Sequence, residues 1–309
     1  MRQLELVVHF GDPSWARRET SFLRTHRAAD LEGPARPRLE IETTAWEASV
    51  AQLGQALAVP CGRLYLGNEF CPYLDWTADE ILSSCELAAD SGLQFSLVFG
   101  AVRERDFSDK AAVVRDVVSR FGAIEVVAND WGLLAALAGL GARPVAGRLL
   151  FRAKRLPRLS RSVLPDSLDP GISAGEVSRA QLVELAECPW DTPWERAMAE
   201  RLGVTRADVE MVPQGLATKP SGLSLSLHLP FTSVTGGGIC PVSQILVREG
   251  RTVCTRRCRS TAILPRFPVR TWELVQIGQS VFMPAHSLLR HYRVHERIDR
   301  LILEPGLPM

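Results

Sequence analysis

Ile124-Glu-Val-Val-Ala-Asn129-Asp130-Trp-Gly-Leu-Leu-Ala-Ala-Leu-Ala-Gly-Leu140-Gly-Ala-Arg-Pro144-Val-Ala-Gly-Arg-Leu-Leu150 decides the fold. Ile124–Ala128 is a short apolar run of strand length that delivers the polar pair Asn129-Asp130. Trp131–Leu140 reads as a short helix, and Pro144–Leu150 as the next strand. The same unit recurs upstream. Leu93–Phe99 reads as a strand followed by the helix Ser108–Phe121, with Ser108 as its N-cap. Before them, Leu64-Tyr-Leu-Gly-Asn-Glu reads as strand, with the helix Thr77–Ser91 closed by Gly92. Leu4–Phe10 is a first strand ended by Gly11-Asp12-Pro13, and Ala45–Ala58 a helix that stops at Pro60. Alternation of this kind with short joins predicts parallel β/α units. The expected fold is α/β, a TIM-like (β/α) barrel, with residues 1–309 forming one domain.

That pattern breaks between Arg152 and Gly175, where Arg, Pro and Ser dominate. Residues 152–205 are expected to form a loop and helical excursion after the fifth strand, resuming as helices at Ser178–Cys188 and Pro193–Leu202. Beyond it, Val209–Val212 and Leu223–Leu229 read as strands and Trp272–Phe282 as a last long strand. Leu288–Leu303 mixes Arg and His with Leu and is assigned no element.

Composition narrows the function classes. A hydrophobic content of 46% supplies a sizeable core. Of 36 basic residues all but Lys110, Lys154 and Lys219 are arginine, yet 35 acidic residues leave a net charge of +1. No strong field favours general nucleic-acid binding. The first ten residues lack an apolar signal core, and the longest apolar run, Gly132–Ala142, falls well short of a membrane helix. A cytoplasmic protein with reduced thiols is expected, and its seven cysteines suit metal binding better than a disulfide framework.

Four of those cysteines stand out. Gly236–Pro241 carries Cys240, Cys254-Thr-Arg-Arg-Cys258 follows, and Cys71 lies at the end of the strand that begins at Leu64. Soft thiolates in a set of four select zinc or an iron–sulfur cluster. Arg256, Arg257 and Arg259 would offset the charge of such an assembly. Cys61, Cys85 and Cys188 have no second cysteine at ligand spacing and read as small buried hydrophobes.

Glu69, Asn129 and Asp130 come where strands end, which is where barrels place their sites. They are the candidate substrate-positioning or proton-moving groups, against the ordinary alternative that strand-end carboxylates cap helices. His291 and His295 share a helix spacing but lack the glutamate of a zinc-protease motif. Neither a Gly-x-Ser-x-Gly elbow nor a phosphate-binding P-loop occurs. The basic run Arg152–Arg161 reads as a solvated loop before it reads as an anion or RNA site. Trp131 reads as packing, with stacking on a substrate ring as the alternative.

Tyr65-Leu-Gly-Asn-Glu-Phe-Cys71, Val127-Ala-Asn-Asp-Trp-Gly132, Val145-Ala-Gly-Arg-Leu149 and the late Cys240, Cys254 and Cys258 together resemble the collagenase-like U-32 peptidase family. The resemblance runs in order from residue 60 to 284 and is closest to the short iron–sulfur branch that serves anaerobic ubiquinone biosynthesis. It implies a 4Fe-4S cluster on Cys71, Cys240, Cys254 and Cys258, and oxygen-independent hydroxylation of a ubiquinone-type aromatic precursor, a reaction for which some members of the family use prephenate as oxygen donor. A paralogous partner subunit is implied as well, forming a heterodimer. The alternatives are a non-catalytic cluster-bearing subunit, an RNA-base hydroxylase and a peptidase. Thr20–Thr44 and the arginine-rich excursion after Leu150 depart from the family pattern.

Overall fold

The computed structural model describes residues 4–31, 40–151, 153, 184–213, 215–219, 222–237, 240–241, 254, 256, 258, 273–289 and 297–308. Among the described residues eleven strands run in chain order: β1 Glu5–Phe10, β2 Cys61–Leu66, β3 Gln94–Phe99, β4 Glu125–Ala128, β5 Arg143–Ala146, β6 Arg206–Glu210, β7 Ser224–Leu229, β8 Phe231–Gly236, β9 Val275–Ile277, β10 Ser280–Pro284 and β11 Ile298–Leu303. Eight of them close a barrel in the order β1-β11-β7-β6-β5-β4-β3-β2, every pair parallel. This is the TIM-like α/β barrel expected from the sequence.

Helices cover the outside, and their ends show why the sequence folds that way. Ala78–Asp90 starts at a reciprocal capping box, in which the Thr77 hydroxyl accepts from the Glu80 amide and the Glu80 carboxylate accepts from the Thr77 amide. Phe107–Phe121 begins one residue before its expected cap: Asp106, not Ser108, holds the N-cap position. Trp131–Leu137 is capped by Asp130. Glu40–Leu53 forms earlier than the Ala45–Ala58 reading, whose last turn becomes a 3-10 segment, Gly54–Ala58.

The barrel interior is built in three layers, because side chains two apart on a strand point the same way. The middle layer is apolar and packs Val7, Val98, Val127, Val145 and Ile302 around Tyr65. Two residues back along those strands lies a floor of Glu5, Arg63, Ser96, Glu125 and Arg300. Two residues forward lie His9, Asn129 and Glu304, at the C-terminal ends of the strands. The floor is an ion-pair net. Arg300 donates to Glu5 at 2.6 Å and to Glu125 at 2.8 and 3.2 Å, while Arg63 donates to Glu5 at 2.9 Å and to Ser96 at 3.2 Å.

Two late elements differ from the expectation. Trp272–Phe282 does not form one strand: within its described part, a turn at Gly278, at a φ of 54° that suits glycine, folds β9 back on β10 as an antiparallel hairpin. With β8 they make a small three-stranded sheet. The stretch Leu288–Leu303, assigned no element, supplies β11, which closes the barrel between β1 and β7. Of the excursion, Pro193–Arg201 is a helix behind a Thr192 cap, but apart from Ala153 the Arg152–Arg161 run lies outside the described residues, as do His291 and His295. No described helix is long and apolar enough to cross a membrane.

Candidate metal centre

Four strands that are far apart in sequence converge at the barrel mouth. His9 lies near the end of β1, Glu69 follows β2, His228 is one residue from the end of β7, and Glu304 follows β11. One ligating atom from each lies within 4.8 Å of the other three, and all four residues are buried. Arg148, just beyond β5, and Glu210, the last residue of β6, border the group.

Backbone geometry makes the convergence feasible. Gly67 sits at φ 139°, and a Cβ there would stand 2.0 Å from the Val98 carbonyl oxygen. Only glycine lets the loop carrying Glu69 lie this close to β3. A Cβ on Gly147 would likewise stand 2.3 Å from the Asn129 amide oxygen. Asn129 uses that contact space as a brace: its side-chain amide donates to Glu69 at 3.2 Å and to the Phe99 carbonyl at 2.8 Å, and its oxygen accepts from the Leu149 amide at 2.8 Å.

Both imidazoles present the same nitrogen to the centre. His9 Nε2 faces the Gly67 carbonyl at 3.0 Å, and that carbonyl can only accept, so Nε2 carries a hydrogen. Its Nδ1 then faces Glu304 Oε1 at 3.1 Å and Glu69 Oε2 at 3.9 Å. His228 repeats the arrangement with Nδ1 at 3.2 Å from Glu304 Oε1 and Nε2 at 3.3 Å from Asp208 Oδ2, a close ion pair whose angle falls short of a hydrogen bond. Asp208 is itself held by the Tyr65 hydroxyl at 3.3 Å, which accepts from Arg300 of the floor at 3.1 Å.

Glu304 is the focus of the charge. Its Oε1 receives both histidines and Arg148 Nη2, and its Oε2 receives Arg148 Nη1 at 3.1 Å. Burial alone would raise its pKa, but Arg148 and the two histidines hold it well below the ordinary carboxylate value. Glu69 is lowered against the same burial penalty by Arg148, His228 and His9, with Arg148 Nε at 2.7 Å from its Oε2. For His228, burial and Arg148 push the pKa down, yet the Asp208 and Glu304 carboxylates outweigh them and bring it to about 9. Four buried carboxylates, Glu69, Asp208, Glu210 and Glu304, face one guanidinium, so the pocket is built for further positive charge.

The sequence-derived sites fare unevenly. Glu69 belongs to the centre and Asn129 braces it. Asp130 spends both carboxylate oxygens on backbone amides, Leu133 at 2.8 Å and Val102 at 3.0 Å, which is the capping alternative. Cys61, Cys85 and Cys188 are buried with thiols pushed up to about 12, chiefly by burial, as expected of core residues.

Cys71, Cys240, Cys254 and Cys258 share one neighbourhood. Cys71 and Cys258 pack with Phe70, Phe231 and Phe282, and burial with the nearby Cys258, Cys240 and Cys254 raises the Cys71 thiol to about 11. The expected cofactor is nevertheless corrected. Among the described residues the group of at least three ligating side chains within 4.8 Å is His9, Glu69, His228 and Glu304, and it contains no thiolate. A candidate mononuclear nitrogen–oxygen centre therefore takes the place of the 4Fe-4S assignment. The functions built on that assignment are withdrawn with it: oxygen-independent hydroxylation of a ubiquinone-type precursor or an RNA base, a cluster-bearing subunit, and a peptidase.

Ligand spacing along the chain does not reveal the centre, because its ligands are single residues on separate strands. The available signal was a period-two one: His9 interrupts the apolar run Leu6–Phe10, and His228 interrupts the Leu225-Ser-Leu-His-Leu229 alternation. No family model matches the chain, and no curated protein matches it.

Proposed function

We propose that the protein is a metal-dependent barrel enzyme that binds one divalent first-row transition ion through His9, Glu69, His228 and Glu304. One observation carries this reading. Both Nδ1 atoms face the same Glu304 oxygen, while each Nε2 faces an outer acceptor, the Gly67 carbonyl or the Asp208 carboxylate. Metal-ligating histidines are oriented in this way by a second hydrogen-bond partner. Two imidazoles with two carboxylates suit zinc, iron, manganese or cobalt, whereas an oxygen-only set would favour magnesium or calcium. An ion at this face of a barrel supplies Lewis acidity to a small substrate, at the end where barrel enzymes carry their chemistry.

The U-32 resemblance stands as a proposal about descent, supported by the order of its motifs along the barrel. A paralogous partner and a small aromatic substrate rest on that resemblance alone. Equilibrium dialysis against Mn²⁺, Fe²⁺, Co²⁺ and Zn²⁺, with elemental analysis, tests the metal reading. One ion per chain is expected, lost in His9→Ala and His228→Ala. Binding of no ion, or binding indifferent to both substitutions, rejects it.

A further inference from the structure

Tyr65 stands in the apolar middle layer and links the barrel floor to the mouth. Its hydroxyl oxygen accepts from Arg300 Nη1 at 3.1 Å, and Arg300 is pinned to the floor by Glu5 at 2.6 Å and by Glu125 at 2.8 and 3.2 Å. A guanidinium can only donate, so the one hydrogen of the phenol is left for Asp208 Oδ1 at 3.3 Å. Among the described residues this is the one hydrogen bond at the Asp208 carboxylate, which is fully buried and whose Oδ2 stands 3.3 Å from His228 Nε2 as an ion pair. An acceptor at Nε2 keeps the imidazole hydrogen there and leaves Nδ1 for an ion. Donor and acceptor roles are thus fixed from the floor upward, through Arg300, Tyr65, Asp208 and His228.

His9 is set differently. Its Nε2 faces the Gly67 carbonyl, a backbone acceptor that needs no side chain to hold it. The Tyr65 ring itself lies edge-on to both imidazoles, its centroid 6.2 Å from that of His9 and 6.4 Å from that of His228. Packing by the ring treats the two histidines alike, whereas the hydroxyl reaches only one of them.

We infer, on the strength of the metal reading above, that Tyr65 is a positioning residue of the centre: fixed by Arg300, its hydroxyl holds the Asp208 carboxylate for His228 and so makes Nδ1 the ligating nitrogen of that histidine. The hold matters because the Asp208–His228 angle falls short of a hydrogen bond, so the orientation of the carboxylate decides how strongly it takes the Nε2 hydrogen.

Nitrogen-15 NMR of the histidine side chains in Zn²⁺-loaded protein tests this, because Tyr65→Phe removes the hydroxyl and keeps the ring. His228 Nε2 should shift while His9 Nε2 keeps its wild-type position. Equal shifts at both would mean that Tyr65 acts by packing alone, an unmoved His228 would mean that the hydroxyl is idle, and either overturns the inference. Affinity supplies a second arm. Tyr65→Phe should weaken Zn²⁺ binding about tenfold, the low end of what losing an outer partner costs. In an Asp208→Ala background it should have little further effect, since it acts through that carboxylate. Equal weakening in both backgrounds, or none in either, overturns the inference.

Should Tyr65→Phe not fold, 3-fluorotyrosine in place of the chain's three tyrosines makes the phenol a stronger donor at nearly constant shape. It should again move His228 Nε2 and spare His9, and a His228 signal that does not move overturns the inference. Failure of Zn²⁺ to bind wild type rejects the metal reading and the inference with it. Binding that is lost in His9→Ala and His228→Ala, with both imidazoles indifferent to Tyr65→Phe, rejects the inference alone.

Discussion

Glu125→Gln probes the barrel floor separately from the mouth. The Glu125 carboxylate accepts from both Arg300 nitrogens, at 2.8 and 3.2 Å, and from the Ser96 hydroxyl at 3.1 Å, with Arg63 at 3.6 Å. Its side chain is 15% exposed. Burial works against ionisation, but Arg300 and Arg63 bring its pKa from 4.5 down to about 2. That difference corresponds to about 3 kcal/mol of stability at neutral pH. Loss of one member of a buried pair has a similar cost, about 3–5 kcal/mol, and the remaining Glu5 contacts to both arginines favour the lower end. Urea unfolding at pH 7 should show Glu125→Gln destabilised by about 3 kcal/mol. The pH dependence fixes the cause. A carboxylate with a depressed folded pKa stabilises fully above its unfolded value and loses that contribution as pH falls through the folded one. The gap between wild type and variant should therefore close between pH 4.5 and about 2. Mn²⁺ affinity should move far less than stability, since Glu125 reaches the centre indirectly, through Arg300, the Tyr65 hydroxyl and Asp208. A variant within about 1 kcal/mol of wild type at pH 7, or a gap independent of pH, would refute the floor argument.

Other expectations follow from single contacts. Asp208→Asn removes the carboxylate facing His228 Nε2 and should weaken metal binding about 10–100-fold while the fold persists, measured by competition with a chelator. Gly147→Ala drives a methyl into the Asn129 amide and should cost about 1–3 kcal/mol in thermal or urea unfolding, with Asn129→Ala in the same chain recovering part of it. Native alkylation at pH 8 followed by peptide mapping should mark the half-buried Cys240 and Cys254 before Cys61, Cys85 or Cys188, whose buried thiols are pushed up to about 12 and stay protonated there. Early labelling of Cys61 would contradict the core assignment.

The parallel β/α alternation from β2 to β5 was legible because each unit is local: apolar run, turn, amphipathic helix, all within about 30 residues. β11 was not. Its sequence, Ile298-Asp-Arg-Leu-Ile-Leu303, sends Arg300 into the floor net and Ile302 into the apolar layer, so an inward-facing charge hides the strand from an apolar-run search. Glu69 and Asn129 were visible as strand-end polar groups, since a parallel barrel gathers all such ends on one face. His9, His228 and Glu304 were not, because ligand spacing along the chain carries no signal when each ligand belongs to a different strand. The cysteines drew attention for the opposite reason: three of them lie close together in sequence, which is itself the pattern that spacing rules recognise.

X-ray absorption at the zinc edge of protein loaded with one Zn²⁺ tests the central claim most directly, because distance separates the two ligand chemistries. A centre of His9, Glu69, His228 and Glu304 predicts a first shell of nitrogen and oxygen alone at about 2.0–2.2 Å, unchanged in Cys71→Ser and Cys258→Ser. A dominant sulfur shell at about 2.3 Å, lost in those cysteine variants and retained in His9→Ala and His228→Ala, would contradict it.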